Sequence, residues 1–269
     1  MIPFDDSAHE RFQAQGYLRL GKVASAAQLA GLQQRIDAIM LGHVRYANMR
    51  LQLFEEATGQ LRRTMGCQVP TLSYRRIDDL EQDPLFLAYM QHPVFAGIAH
   101  RCVGDHVSVF RSMFMNKPAR WHQELPWHQD VGSGWGIDTD PITTVWTALD
   151  EATTANGCMQ IVPGSHLHGV LNERHFLAED EQGIYARPEY VIDLPASAGE
   201  AILLHNLLLH RSGTNPTAAP RRAFSATYMS AATCTRDTGQ SFPILFGPGA
   251  LDPATVEGKA ADLVQTFYG

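Results

Sequence analysis

The 269-residue sequence has a formal charge of -7, with 45% hydrophobic and 18% charged residues. That balance is ordinary for a soluble globular enzyme and offers no broad basic surface for nucleic acid. No apolar run approaches the roughly 20 residues needed to span a bilayer, so no membrane partner is expected. The start, Met1-Ile2-Pro3-Phe4-Asp5-Asp6, lacks the basic end and apolar run of a secretory signal, and a cytoplasmic protein is the expectation. Cys67, Cys102, Cys158 and Cys234 lie far apart, which excludes a Cys-x-x-Cys metal or redox motif and reads as four free thiols.

In chain order, a short helix over residues 9–15 is broken by Gly16, and a small strand follows at 17–20. Ser25-Ala26-Ala27-Gln28 has the form of a capping box, and Leu29, Leu32, Ile36 and Ile39 continue at helical spacing towards Gly42. Residues 45–83 show no clear period but carry Arg50, Arg62, Arg63, Arg75 and Arg76; such donors suit an anionic substrate or a solvated surface with ion pairs. Asp83-Pro84 starts a further helix that ends before Gly104. Short apolar runs then take over at 107–115, 143–149, 159–162, 201–204 and 224–229, with turns at Asn156-Gly157 and Pro163-Gly164. The predicted architecture is mainly β with flanking helices. One domain over 1–269 is expected, with a helical N-terminal part at about 1–104, a β core at about 105–232 and a tail at 233–269. The tail reads as a short helix from Pro253, and 172–190 as a long loop of the kind that forms lids.

The chemistry centres on Trp127-His128-Gln129-Asp130, just before Val131-Gly132-Ser133-Gly134. On a strand, residues i and i+2 project to one side, so His128 and Asp130 aim an imidazole and a carboxylate at a common point. A third ligand must come from another strand end, where His205 and His210 both qualify. His210 is favoured because Ser212-Gly213 and then Arg221 follow it. Two histidines and a carboxylate with three open positions favour non-haem Fe(II). Those positions can take dioxygen and a bidentate 2-oxo acid, whose far carboxylate needs a planar, permanently charged fork. Arg221 offers that fork, with the Ser212 hydroxyl beside it, while Arg222 must face the other way as an ion-paired or solvated residue.

Trp127-His-Gln-Asp130, Val145-Trp146-Thr-Ala-Leu149, the Asn156-to-His166 stretch, and His210-x-Ser-Gly-x-Asn215 with Arg221 together resemble the phytanoyl-CoA dioxygenase (PhyH) family. The resemblance runs from about 116 to 228, and Gly16-Tyr17-Leu18 is also similar to the family's opening strand. It implies a double-stranded β-helix (a cupin-like jelly roll) that uses Fe(II), 2-oxoglutarate and dioxygen, with ascorbate as the reductant to supply in vitro. It further implies His128, Asp130 and His210 on the metal, Arg221 and Ser212 on the far carboxylate of 2-oxoglutarate, Trp146 lining that pocket, and Asn116 as an upstream polar contact. Related halogenases have a small residue in place of the carboxylate. Asp130 is present, so hydroxylation or another oxidation of a small molecule, with release of succinate and CO2, is the expected outcome. The competing readings are a Zn- or Mn-dependent isomerase or hydrolase of the same fold, which gives Arg221 no task, and a non-catalytic small-molecule-binding protein. Pro163-Gly164-Ser165-His166 reads as a structural turn, and Gln160 as either part of a buried network or a ligand contact. Nothing in the sequence selects a substrate or an oligomeric state.

Overall fold

The computed structural model describes residues 4–257 except 56–59, 131–134, 140–142 and 173. Its larger sheet has nine strands, eight of them in the order β1-β10-β7-β12-β5-β4-β2-β3, with β13 paired to β5. These are β1 (Tyr17–Lys22), β2 (Arg50–Glu55), β3 (Gln60–Met65), β4 (Tyr74–Ile77), β5 (Val107–Lys117), β7 (Thr143–Ala148), β10 (Glu200–His205), β12 (Arg221–Ser230) and β13 (Ile244–Phe246). The smaller sheet runs β6-β11-β8-β9: β6 (Leu125–His128), β8 (Met159–Ile161), β9 (Ile192–Leu194) and β11 (His210–Ser212). All registered pairs are antiparallel.

The central strands explain why the sequence showed continuous apolar runs rather than alternation. Ala201 and Leu203 of β10 enter the core beneath the helices, while Ile202 and Leu204 enter the space between the sheets. β7 divides the same way, Val145 to one side and Trp146 and Ala148 to the other. A strand buried on both faces has no polar face to display. Helices α1 (Asp6–Gln15), α2 (Ala26–Met40), α3 (Pro84–Met90) and α4 (Pro93–Cys102) supply the outer core, where Phe224 lies 4.9 Å from Phe86 between ring centroids. Truncating such a ring to alanine costs about 3–5 kcal/mol.

The capping box of α2 forms as read, Ser25 accepting from Gln28 N while Gln28 accepts from Ser25 N. The helix expected from Asp83 to before Gly104 is two helices, because Pro93 disfavours the helical conformation at His92 and opens α4 as its first residue. The larger correction concerns 45–83, where no element was expected and β2, β3 and β4 extend the large sheet. The N-terminal third is therefore helical and β together. β3 is almost wholly exposed and β2 mostly half-buried, so neither needed an apolar face that a sequence pattern could reveal. The segment 172–190 also holds a helix, α5 (Glu179–Tyr185). Residues 253–257 form turns, and the rest of the expected tail helix, like Val131-Gly132-Ser133-Gly134, lies outside the described residues. Among the described residues no helix is long and apolar enough to cross a membrane, and all four cysteines are free.

Candidate active site

His128 ends β6 and His210 opens β11, directly opposite each other across the small sheet. Their rings lie 4.1 Å apart between centroids. Asp130 completes a group whose ligand atoms all lie within 4.8 Å of one another. Nε2 of His128 is 4.0 Å from one Asp130 oxygen, and Nε2 of His210 is 3.9 Å from the other. Both separations exceed hydrogen-bond reach, so the three groups converge without satisfying one another.

The two histidines are oriented by the same device. His128 Nδ1 donates to Pro126 O at 2.8 Å, and His210 Nδ1 donates to Leu208 O at 2.9 Å. A carbonyl only accepts, so each Nδ1 carries the proton and each Nε2 presents its lone pair towards Asp130. Metal-binding histidines are fixed in this way by their other ring nitrogen. Burial, with His210 nearby, pushes His128 down to about 3 against the opposing pull of Asp130, which keeps it a neutral donor. Burial alone would favour a neutral Asp130, but His210, His128 and Arg111 outweigh it and hold the carboxyl below its ordinary range.

Short strands need help to hold such a site. Buried Gln129 donates to Gly169 O at 3.0 Å and Leu207 O at 2.7 Å, and accepts from Leu171 N at 2.9 Å. Asp130 N donates to Asn206 O, and Ser165 Oγ accepts from Leu209 N, each at 2.8 Å. Three segments, 129–130, 165–171 and 206–209, are thereby tied around the triad.

A cavity opens from the triad into the space between the sheets, lined among others by Trp146, Ser212, Arg221, Asn116, Lys117 and Arg75. Arg221 is buried, its Nη2 donates to Gly157 O at 2.9 Å, and its Nε has no partner. Trp146 Nε1 and Asn116 Oδ1 are likewise buried and unpartnered, although the Asn116 amide nitrogen donates to Leu72 O and Tyr74 O. Burial lowers Arg221 to about 10, and burial with Arg221 and Arg75 lowers Lys117 to about 7. Among the described residues none of these three cations makes an ion pair. Buried charge without a counter-ion is costly, and the cavity is arranged to receive an anion.

The rivals have other work. Arg222 forks onto Asp150 at 2.8 Å and reaches Asp37 at 2.6 Å. His205 accepts from Leu207 N and packs against His166, away from the triad. His166 bonds Gln13 O, in keeping with a structural turn, and Gln160 bridges Asp193 and Arg211. Sequence reasoning missed Lys117, Gln129 and the particular place of Arg75. It also missed His175 and Phe176 of the long segment, whose rings lie 5.0 and 5.8 Å from His128. No spacing signal marks them; only the folded chain brings them in.

The family model for phytanoyl-CoA dioxygenase (PhyH) matches residues 12–223, which include the triad and the cavity cations. The chain belongs to the PhyH family. Among its relatives, a phytanoyl-CoA dioxygenase of Arabidopsis thaliana is 26% identical over 249 residues, covering 80% of this chain and 84% of the relative. A probable phytanoyl-CoA dioxygenase of Caenorhabditis elegans is 29% identical over 174 residues; the match spans 59% of this PhyH chain and about half of that relative (55%). A crystal structure of EctD from S. alaskensis with 2-oxoglutarate and 5-hydroxyectoine superposes with a TM-score of 0.69 at 21% identity, over 95% of this chain and 88% of that one. That likeness is one of fold.

Proposed function

We propose that this PhyH-family protein is an Fe(II)- and 2-oxoglutarate-dependent dioxygenase that hydroxylates, or otherwise oxidises, an aliphatic C–H bond of a small molecule. The observation that carries the reading is Arg221: a buried guanidinium with an unpartnered Nε, opening on the same cavity as a converging His-Asp-His group. A metal-dependent isomerase or hydrolase has use for the triad but none for Arg221, Lys117 and Arg75.

The residues fit the groups they would hold. His128, Asp130 and His210 offer two neutral nitrogens and one carboxylate, the donor set of non-haem iron oxygenases. Arg221 offers its fork to the far carboxylate of 2-oxoglutarate, with Ser212 beside it, and Lys117 and Arg75 add positive charge. Trp146 closes the apolar side, its ring 6.0 Å from the Arg221 guanidinium carbon, and its unpartnered Nε1 is free to donate. Asn116 borders the same cavity with a free acceptor. When bound, iron and 2-oxoglutarate supply the oxidising power for an unactivated C–H bond, with succinate and CO2 as co-products. The chain's own part is to hold both imidazoles in one tautomer, keep Asp130 ionised, orient the cosubstrate and exclude water. The N-terminal strands support treating the whole chain as one catalytic unit, because β1 to β4 complete the sheet that carries Arg221.

The test is anaerobic addition of Fe(II) and then 2-oxoglutarate, read by the weak visible charge-transfer band, followed by succinate release in air with ascorbate. A band and succinate are expected. A chain that binds Fe(II) but gives no band with 2-oxoglutarate sinks the reading.

A further inference from the structure

The cavity side of β5 carries Arg111, Met113, Met115 and Lys117 in register with Thr227, Ser225, Ala223 and Arg221 of β12. Six residues of strand separate its two cations by about 20 Å. Lys117 belongs to the cosubstrate end, and Arg111 lies at the other. There Arg111 sits over the indole of Trp135, whose ring lies 6.3 Å from His175, itself 5.0 Å from His128 of the triad.

A break in register puts Arg111 in place. Thr227 pairs with Arg111 but Tyr228 pairs with Val109, so Phe110 is an extra residue, a β-bulge. Below the bulge Val109 enters the core under the helices, and above it Arg111 is released to the other side. Phe110 stacks on Trp135 (5.1 Å, 21°), and the Arg111 guanidinium carbon sits 3.9 Å from the centroid of the same indole. The guanidinium plane is therefore steadied by aromatic faces.

Charge distinguishes Arg111 from its neighbours. It lines a groove with Arg50, Arg63, Arg76 and Asp78. Arg50 forks onto Asp79 and Arg76 onto Asp78, while Arg63 stands exposed at the rim. Among the described residues Arg111 alone is a partly buried cation of this groove with no carboxylate in salt-bridge contact. Burial and Arg76 lower it to about 10, so it stays charged at neutral pH.

We propose that Arg111 anchors the substrate: it receives the free carboxylate of a small-molecule acid that reaches towards the triad past Trp135 and His175. One unanswered fork matches one bidentate carboxylate. A phosphate dianion or a coenzyme A tail would call for several unpaired cations. The proposal rests on the dioxygenase reading, and its test separates the two.

The experiment uses the anaerobic Fe(II)–2-oxoglutarate complex of the full chain. Its probes are aliphatic and aryl-alkanoic acids, each paired with its primary amide, together with phosphate monoesters and an acyl-CoA. The readouts are the shift of the visible band on probe binding and, in air, stimulated succinate release. Absence of the band before any probe is added refutes the dioxygenase reading itself. With the band present, acids and not amides are expected to perturb it and stimulate release. Arg111→Gln, compared at Fe(II) and 2-oxoglutarate concentrations that saturate the band in each protein, should weaken the acid by about 30-fold or more, as loss of a buried charged partner does. Arg111→Lys, which keeps charge and loses the fork, should weaken it by about tenfold. Stimulation by amides as strong as by acids, stimulation by phosphates or the thioester alone, no stimulation by any acid, or unchanged acid affinity in both variants overturns the proposal.

Discussion

The two sheets that face each other across the cavity are built differently. The large one rests on long strands, 11 residues in β5 and 10 in β12, whose ladder sets Lys117 opposite Arg221. The small one, which carries His128 and His210, has strands of only three or four residues. It keeps its geometry through side chains that bind backbone, Gln129 and Ser165, while Asn215, just past β11, ties it to the ends of β5 and β12 by donating to Lys117 O, Pro118 O and Ala219 O. Anion grip is thus a property of regular structure, and metal geometry a property of irregular structure pinned by polar side chains.

Substitutions on the two sheets sharpen that contrast. The largest effect is expected at the triad: His128→Ala, Asp130→Ala or His210→Ala should weaken Fe(II) by more than about 100-fold, the upper end of what losing a mere supporting partner costs. Fe(II) titration and 2-oxoglutarate turnover measure it, and full activity in the His210 variant would move the ligand elsewhere. On the large sheet, Arg221→Leu should leave Fe(II) affinity intact while raising the apparent KM for 2-oxoglutarate by about 30-fold or more. Arg222→Leu should spare that KM and lower stability by about 1–3 kcal/mol, because Asp150 loses its fork; equal KM effects from the two would mean that their facing is misassigned.

Gln129→Leu strips three backbone groups of their partners without touching a ligand. It should cost about tenfold in Fe(II) affinity, more than in 2-oxoglutarate affinity measured at saturating metal; the reverse order would erase the distinction between the sheets. The smallest effect is one of pH. Lys117 gains its proton below about 7, so 2-oxoglutarate should bind a few-fold more tightly at pH 6 than at pH 8, and Lys117→Met should flatten that profile. The sign for folding is opposite. A lysine whose pKa falls on folding favours the native chain when neutral, so that contribution declines as pH drops from about 10 towards 7.

The same contrast governs what the sequence disclosed. β7, β10 and β12 were legible because burial on both faces demands unbroken apolar runs. β2 to β4 were not, since a half-exposed or edge strand can be written in arginine and glutamine. His128 and Asp130 declared themselves through i, i+2 spacing, which is local. His210 needed a choice against His205, and the folded chain separates the two: His205 closes β10 against His166, while His210 faces His128. Arg75 was visible as one of five arginines, but its place beside Lys117 depends on β4 pairing with β5, a contact some 40 residues apart that no window of sequence displays.

The extra residue in β5 carries a consequence of its own. Deleting Phe110 would return the strand to unbroken alternation with Val109 still opposite Tyr228 and Arg111 still opposite Thr227, but it would remove the ring that stacks on Trp135 beside Arg111, while every ligand of the triad, borne on other strands, stayed put. A single-codon loss is thus a discrete way to loosen the aromatic seat of one outer guanidinium while the residues that face the cavity keep their places.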